Sequence, residues 1–242
     1  MIKVLTNDGL EQASIDALKA LGVEVVNDHI EQAVLGENLK DFDAIVIRSA
    51  TKLTADVFEA EKGGSLKLAI RAGVGIDNID IPAGEGAGVT VRNTPAASSD
   101  SVAELALAHM FSLARYVAIA NVTMRNGEWN KKKYQGTEIA GKTLGIIGMG
   151  RIGQSLAKKA TALGMKVIYT DLFGKNEALE YDFVSLEDVL KISDFISLHV
   201  PYDKKAGALI GKKELEMMKN TAYLIDLSLI HISEPTRPEP IS

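Results

Sequence analysis

Three glycines near the middle of this chain have the spacing of a ligand-binding loop. Gly148, Gly150 and Gly153 form a G-x-G-x-x-G pattern after the apolar run 144–147, and a helical pattern follows them. In such a pattern the first glycine permits a tight turn, the second lets the backbone approach a pyrophosphate, and the third lets helix and strand pack closely. The N-terminus of the following helix offers N–H groups and partial positive charge to phosphates. The pattern predicts a dinucleotide site.

An acidic residue completes this pattern. Asp171 directly follows the predicted strand 166–169 and lies 18 residues after Gly153, near the spacing of an acid that binds the adenosine ribose hydroxyls. A carboxylate there would repel a 2′-phosphate, so NAD is favoured over NADP, and Lys175 is the nearest cation. Glycines also mark plain turns, so a structural turn in an α/β sheet is the alternative. The order of strand, glycines, helix, strand and acid favours NAD.

The elements that must position these residues alternate along the chain. Short apolar runs predict strands at 2–5, 23–26, 44–47, 66–70, 89–91, 144–147, 166–169 and 222–228. Helical patterns between them predict parallel sheets with right-handed crossovers. The predicted class is α/β, with two Rossmann-like or flavodoxin-like doubly wound parallel-sheet domains, the second incomplete.

The domain boundaries follow from changes in this pattern. We expect one domain at 1–95, a second at 96–228, and a tail at 229–242 that contains three prolines and cannot extend a sheet. An alanine- and leucine-rich segment, 101–120, is expected to form one long helix that acts as the hinge between the domains. Its apolar surface also predicts contact between subunits.

Composition excludes several classes of protein. The 242 residues carry a net charge of −5, which gives no sign of a nucleic-acid or membrane partner. The absence of cysteine excludes disulfides and thiolate metal sites, and we expect no metal. No apolar run has the length of a membrane span, and the N-terminus lacks the pattern of a signal peptide. A cytoplasmic location is the expectation.

Several further segments carry a family resemblance. They are VIRSATKLTADVF (46–58), IRAGVGIDNIDI (70–81), NTPAASSDSVAELALAHM (93–110), GEWNKKKYQGTEIAGKTLGIIGMGRIGQ (127–154) and SDFISLHVP (193–201). The sequence resembles the D-isomer-specific 2-hydroxyacid dehydrogenases, and segment 127–138 is most similar to the branch that acts on phosphoglycerate. The resemblance implies a substrate-binding (lid) domain at 1–95 and an NAD-binding Rossmann domain after it.

The resemblance also implies site residues. Arg48 and Ser49 would contact the acidic groups of a small anionic 2-hydroxy acid, and the backbone N–H groups of Gly73, Val74 and Gly75 would hold its carboxylate. The alternative is that Arg48 is a surface residue and that the glycines form a turn. The family often has asparagine at the position of Ser98. Serine keeps a hydrogen-bonding group, so this departure weakens the argument for a substrate contact at Ser98 but does not remove it. Besides the three glycines, the family positions that line NAD are Val74, Arg151, Ile152, Asp171, His199, Val200 and Pro201.

The histidines do not predict a general base. His199 matches a family position beside the adenine half of NAD, away from the hydride. Glu104 and His109 lie five residues apart, about 140° around a helix, so they do not form a pair on one face. His109 is expected at a packing surface or interface, and His29 has no motif around it.

The family's catalytic arginine, glutamate and histidine have no counterpart in this sequence. Leu229 and Ile230 occupy the positions of the arginine and the glycine after it, and the other two family positions would lie beyond Ser242. His231 and Glu234 lie in the proline-rich tail, where nothing would hold them for catalysis. We therefore expect an unstable and inactive chain. The alternatives are a non-catalytic NAD-binding module, as in the C-terminal-binding corepressors, and an inert fragment.

Overall fold

A computed structural model describes residues 1–201 and 207–227 of the chain. The chain divides into two compact units, Met1–Ser98 and the residues from Ser99 onward. The predicted change of domain at 95/96 lies three residues before this division. Each unit is built around a sheet of five parallel strands, so the predicted α/β class with two doubly wound parallel sheets is confirmed.

The N-terminal unit forms a sheet in the order β2-β1-β3-β4-β5. Its strands are β1 (Lys3–Thr6), β2 (Glu24–Val26), β3 (Ala44–Ile47), β4 (Leu68–Arg71) and β5 (Thr90–Asn93), and its helices are α1 (Gln12–Ala20), α2 (Leu35–Leu39), α3 (Ala55–Glu61) and α4 (Ile81–Gly86), with a 3-10 turn at Gln32–Val34. The central strands are continuous apolar runs because helices cover both faces of the sheet. Leu5, Ile45 and Ala69 are fully buried at its centre.

The second unit forms a sheet in the order β10-β9-β6-β7-β8. Its strands are β6 (Thr143–Ile147), β7 (Lys166–Thr170), β8 (Asp182–Phe183), β9 (Phe195–Leu198) and β10 (Tyr223–Asp226), and its helices are α5 (Ser99–Arg115), α6 (Val117–Arg125), α7 (Arg151–Ala162), α8 (Leu186–Ile192) and α9 (Lys212–Met217). From the central strand β6 the chain runs outward to β7 and β8, then crosses over to β9 and β10. The strand order therefore reverses between β6 and β9, and ligands of doubly wound folds bind at such a point.

The segment predicted as one helix over 101–120 is two helices, so that prediction is wrong in detail. Tyr116 has a φ of +56°, which is left-handed and cannot continue a helix, and α5 and α6 are bent by 61° at this residue. The ring of Tyr116 stacks on Tyr134 with a centroid distance of 5.6 Å, which gives the break a packing partner.

One side of α5 is part of the core of the second unit. Ala103, Ala106, Leu107, Met110 and Ala114 are buried in the same core as β6 and α7.

Among the described residues no single helix is long and apolar enough to cross a membrane, although the bent pair α5 and α6 meets that criterion by length and composition.

Candidate functional site

The glycine-rich loop connects the buried strand β6 to α7. Gly148 has a φ of +95°, and a Cβ atom at this residue would lie 2.5 Å from the carbonyl oxygen of His199. A Cβ atom at Gly153 would overlap the carbonyl oxygen of Gly148, because helix and loop pack backbone to backbone there. At Gly150, apart from the two adjacent residues, no atom of the described part of the chain lies within 4 Å of the Cβ position. The loop is thus closed at Gly148 and Gly153 and open at Gly150, as a pyrophosphate site requires.

Helix α7 begins directly after this loop. Gly150 is its N-cap, Arg151 is exposed, and Ile152 is partly buried. The N–H groups of the first helical turn have no acceptor within the helix, so the helix start can bind an anion. Gln154 braces the loop, because its Nε2 donates a hydrogen bond of 2.9 Å to the carbonyl oxygen of Met149.

Asp171 lies just after β7 and is tied to the glycine-rich loop. Its Oδ2 accepts a hydrogen bond of 2.7 Å from Met149 N, and its Oδ1 accepts one of 2.9 Å from Phe173 N. Each carboxylate oxygen has a second lone pair, so the side chain can still accept hydrogen bonds from ribose hydroxyls. The loop itself therefore orients this carboxylate.

A cavity of about 1110 Å³ opens at the carboxyl ends of β6, β7 and β9. Its described lining residues are Gly148, Met149, Gly150, Tyr169, Asp171, Leu172, Phe173, Gly174, Lys175, Asn176, Glu177, His199, Val200, Pro201, Gly207, Ala208 and Leu209. This volume suffices for a large cofactor. Arg151, Ile152 and Gly153, which were predicted to line the cofactor, are not in this described lining; they form the start of α7.

The imidazole of His199 is held neutral. Burial lowers its pKa to about 4, although the negative charge of Asp226 opposes this shift. Its Nε2 lies 2.9 Å from Ser197 Oγ, and its backbone N–H donates to Ile147 O at 2.8 Å. A neutral ring with this pKa is a weak base at neutral pH, so the environment of His199 suits packing against a ligand better than proton abstraction.

In the N-terminal unit, Asp8 organises the segment that contains Arg48 and Ser49. The Asp8 carboxylate accepts hydrogen bonds from Arg48 N (2.6 Å), Thr51 N (3.2 Å) and Thr51 Oγ1 (2.5 Å). From the other side, Asn78 Nδ2 donates to the carbonyl oxygens of Arg48 and Thr51, both at 2.7 Å. Sequence reasoning missed Asp8 and Asn78, and only the position of Asp8 shortly after β1 could have indicated it.

These hydrogen bonds change the acidity of Asp8. Partial burial would raise its pKa, but the hydrogen bonds from Thr51 and from the Arg48 and Thr51 backbone outweigh it and lower the pKa below 3.8. The group is therefore a carboxylate at neutral pH, and it fixes the backbone on which the exposed Arg48 and Ser49 are presented.

The loop 73–75 follows β4 at the same edge of this sheet. Gly73 N–H donates to Arg71 O at 2.9 Å, so of the three predicted backbone donors this one is already used within the chain. Asn93 Nδ2 fixes the loop by donating to Val74 O at 2.7 Å, and Val74 and Gly75 are exposed. The Arg71 guanidinium lies against Gly73, and Arg71 Nε is buried without a hydrogen-bond partner among the described residues. Arg71 is a second cation that sequence reasoning missed.

Neither His109 nor His29 is among the described residues that line the cavity. His109 is exposed on α5, and His29 Nδ1 lies 3.1 Å from Asn7 O in the N-terminal unit. The described residues form no group of ligands that could hold a metal ion. Leu229, Ile230, His231 and Glu234 lie outside the described residues, as does the rest of the tail.

Comparison with known proteins defines the class to which this fold and this loop belong. The family model described as D-isomer specific 2-hydroxyacid dehydrogenase, NAD binding domain, matches residues 107–229. The chain belongs to this family, and its cofactor is NAD. The resemblance found in the sequence is thereby confirmed.

Individual relatives cover more of the chain. It is 42% identical over 225 residues to a hydroxypyruvate reductase of Thermotoga maritima, covering 93% of this chain and 73% of that protein. It is 42% identical over 230 residues to a D-3-phosphoglycerate dehydrogenase of Methanocaldococcus jannaschii, covering 93% of this chain but 44% of that protein. The solved structure of a protein from Thermus thermophilus superposes with a TM-score of 0.82 at 32% identity, covering 93% of this chain and 73% of that chain.

Proposed function

We propose that this chain is the NAD-binding and substrate-binding part of a dehydrogenase that oxidises 3-phospho-D-glycerate to 3-phosphooxypyruvate, the reaction that opens serine biosynthesis. The observation that carries the proposal is the cavity at the switch point of the second sheet, where the glycine-rich loop, the start of α7 and Asp171 converge. Similarity to a D-3-phosphoglycerate dehydrogenase and the segment 127–138 support this substrate.

The geometry of the glycine-rich loop and of Asp171 supports the proposed cofactor roles. The open backbone at Gly150 and the amides at the start of α7 would hold the pyrophosphate. Asp171, oriented by Met149 N–H, would accept hydrogen bonds from the adenosine ribose, and the segment 199–201 would pack on the adenine half. NAD, when bound, supplies the acceptor for the hydride that leaves the substrate carbon.

The substrate roles rest on the N-terminal unit. A phosphorylated hydroxy acid has two anionic ends, and two guanidinium groups, those of Arg48 and Arg71, lie at the ends of neighbouring strands of this sheet. Ser49 and the backbone N–H groups of Val74 and Gly75 would complete the site, with Asp8 and Asn78 holding the segment around Arg48 in place.

Two other functions compete with this one. Similarity to a hydroxypyruvate reductase favours reduction of an unphosphorylated 2-keto acid, which would need only one strong anion contact. A non-catalytic NAD-binding module is favoured by Leu229 at the position where the family has its catalytic arginine.

Binding and turnover experiments separate these functions. We expect NADH to bind, as followed by its fluorescence, without NADH formation from 3-phosphoglycerate by the 242-residue chain. A chain that continues into the family's arginine, glutamate and histidine should oxidise 3-phosphoglycerate in preference to reducing hydroxypyruvate. Turnover by the 242-residue chain would contradict the expectation that the chain is inactive because Leu229 replaces the catalytic arginine. Preference for hydroxypyruvate in the longer chain would contradict 3-phosphoglycerate as the substrate.

We also propose a homodimer formed through α5 and α6. Large apolar side chains remain exposed along these helices, namely Leu105, Phe111, Leu113, Val117, Val122 and Met124. Such a run is typical of a surface that a second copy covers. Sedimentation of the chain should give a dimer, and replacing Leu105 and Val117 by glutamate should give a monomer.

A further inference from the structure

Lys175 places a cation in the wall of the cavity that contains Asp171. The turn between them is closed by Gly174, which has a φ of +81° and donates its N–H to Asp171 O at 3.1 Å. The chain reverses there, and the side that continues through Lys175 lines the same cavity. Sites that bind the 2′-phosphate of NADP place a cation near the adenosine ribose. This wall therefore contains a carboxylate that favours NAD, Asp171, and a cation that would favour NADP, Lys175.

The loop that carries Lys175 is fixed from below. Asn176 N–H donates a hydrogen bond of 2.9 Å to Tyr169 Oη, and the Tyr169 side chain is fully buried. Asn176 Oδ1 in turn accepts a hydrogen bond of 3.0 Å from Ala178 N. Lys175 and Glu177 are therefore the exposed neighbours of an anchored residue, and their separation is set by its position.

The ammonium group of Lys175 is engaged by Glu177. Its Nζ lies 2.6 Å from Glu177 Oε2, and both residues line the cavity. Lys175 is the only lysine or arginine among the described lining residues. The hydrogen bond with Glu177 raises the pKa of Lys175, so the group stays charged at neutral pH.

We propose that Glu177 is a second residue that determines the choice of cofactor, because it holds the Lys175 ammonium away from a 2′-phosphate. Asp171 repels the 2′-phosphate directly, and Glu177 occupies the cation that would otherwise attract it. The inference rests on the NAD site proposed above. Replacing Asp171 alone would then leave NADP binding weak, since the nearest cation would still be neutralised.

The expected size of the effect follows from the exposure of the pair. The Lys175 and Glu177 side chains are 51% and 79% exposed, and exposed ion pairs change an equilibrium by about fivefold or less. We therefore expect Glu177→Gln to lower the ratio of the NADPH to the NADH dissociation constant by about threefold to fivefold in an Asp171→Asn background.

The experiment measures NADH and NADPH binding by fluorescence titration of the purified chain. The variants are Asp171→Asn alone, that variant with Glu177→Gln, and both with Lys175→Gln added. Glu180→Gln in the Asp171→Asn background is the matched control, because it removes the same charge from an exposed residue outside the described lining. Circular dichroism establishes that each variant is folded.

The proposal predicts that Glu177→Gln lowers the ratio, that Lys175→Gln abolishes this gain, and that Glu180→Gln has no effect. A gain that persists without Lys175, an equal gain from Glu180→Gln, or no gain at all would overturn it. If NADH binds the wild-type chain and Asp171→Asn alone shifts the ratio, the cofactor site stands whatever Glu177 does. Failure of NADH to bind the wild-type chain would overturn the site and this inference together.

Discussion

Replacing Gly148 by alanine should disrupt both the fold of the second unit and its cofactor site. The alanine would have to adopt a φ of +95°, which costs about 1–3 kcal/mol in a residue with a side chain. Its Cβ atom would also lie 2.5 Å from the carbonyl oxygen of His199, and relieving such overpacking costs about 1–3 kcal/mol more. The backbone at His199, directly after β9, cannot move aside freely, because His199 N–H is bonded to Ile147 O at 2.8 Å.

Gly150→Ala provides the matched control, since it adds the same methyl group two residues away. Gly150 has a φ of −71°, which alanine adopts without strain. Beyond its two chain neighbours, no atom of residues 1–201 and 207–227 lies within 4 Å of its Cβ position. The only stability cost is a poorer N-cap, about 1 kcal/mol or less. The methyl group would nevertheless stand where the pyrophosphate approaches, so NADH binding should weaken at least tenfold, or about 1.4 kcal/mol.

Denaturant unfolding and NADH titration of the two variants test this reasoning. Gly148→Ala should lose at least about 2 kcal/mol of stability, or roughly 4–8 °C in Tm, together with NADH binding. Gly150→Ala should lose NADH affinity while unfolding within about 1 kcal/mol of the wild type. Equal stability of Gly148→Ala and wild type would refute the argument from the loop geometry, and wild-type NADH affinity in Gly150→Ala would refute the phosphate site.

Three further outcomes are expected. Asp8→Asn should cost about 1–2 kcal/mol at neutral pH, because it weakens the hydrogen bonds to Arg48 and Thr51. The pKa of Asp8 is lowered below 3.8 in the folded chain, so the stabilisation from its carboxylate is present above that pH and is lost as the pH falls through the folded pKa. The unfolding curves of the wild type and of Asp8→Asn should therefore converge in acid. Burial holds the pKa of His199 at about 4, below its ordinary 6.5. The wild type should therefore keep its full stability above pH 6.5 and lose about 3 kcal/mol of unfolding free energy as the pH falls to about 4. Urea unfolding of His199→Gln should show a flatter dependence of stability on pH. The Leu105 and Val117 glutamate variant should sediment as a monomer yet bind NADH with wild-type affinity, and a dimer would contradict the proposed interface.

The sequence predicted those features that are local along the chain. The apolar runs marked the central strands of both sheets because parallel strands covered on both faces must be apolar throughout. The spacing of Gly148, Gly150, Gly153 and Asp171 identified the cofactor because one continuous strand–helix–strand unit, β6 to β7, contains the whole arrangement. The family resemblance rests on contiguous segments of the chain, such as 70–81 and 127–154.

The sequence did not predict contacts between residues that are distant along the chain. Asp8 and Arg48 are 40 positions apart, and no periodicity indicates that the ends of β1 and β3 meet so that a carboxylate can hold a backbone N–H group. The break at Tyr116 was missed because its surroundings favour helix, whereas stacking on Tyr134 involves a residue from a segment with no regular pattern.

What the sequence by itself determined is therefore the fold class, the family and the cofactor, since each rests on local patterns of residue type. Only the tertiary structure decided the electrostatic state of the residues around that cofactor. Burial keeps His199 neutral, the loop amide of Met149 orients Asp171, and the turn at Gly174 brings Lys175 and Glu177 to one wall. Charge and hydrogen bonding depend on which groups meet in space, and the folded chain alone determines those meetings.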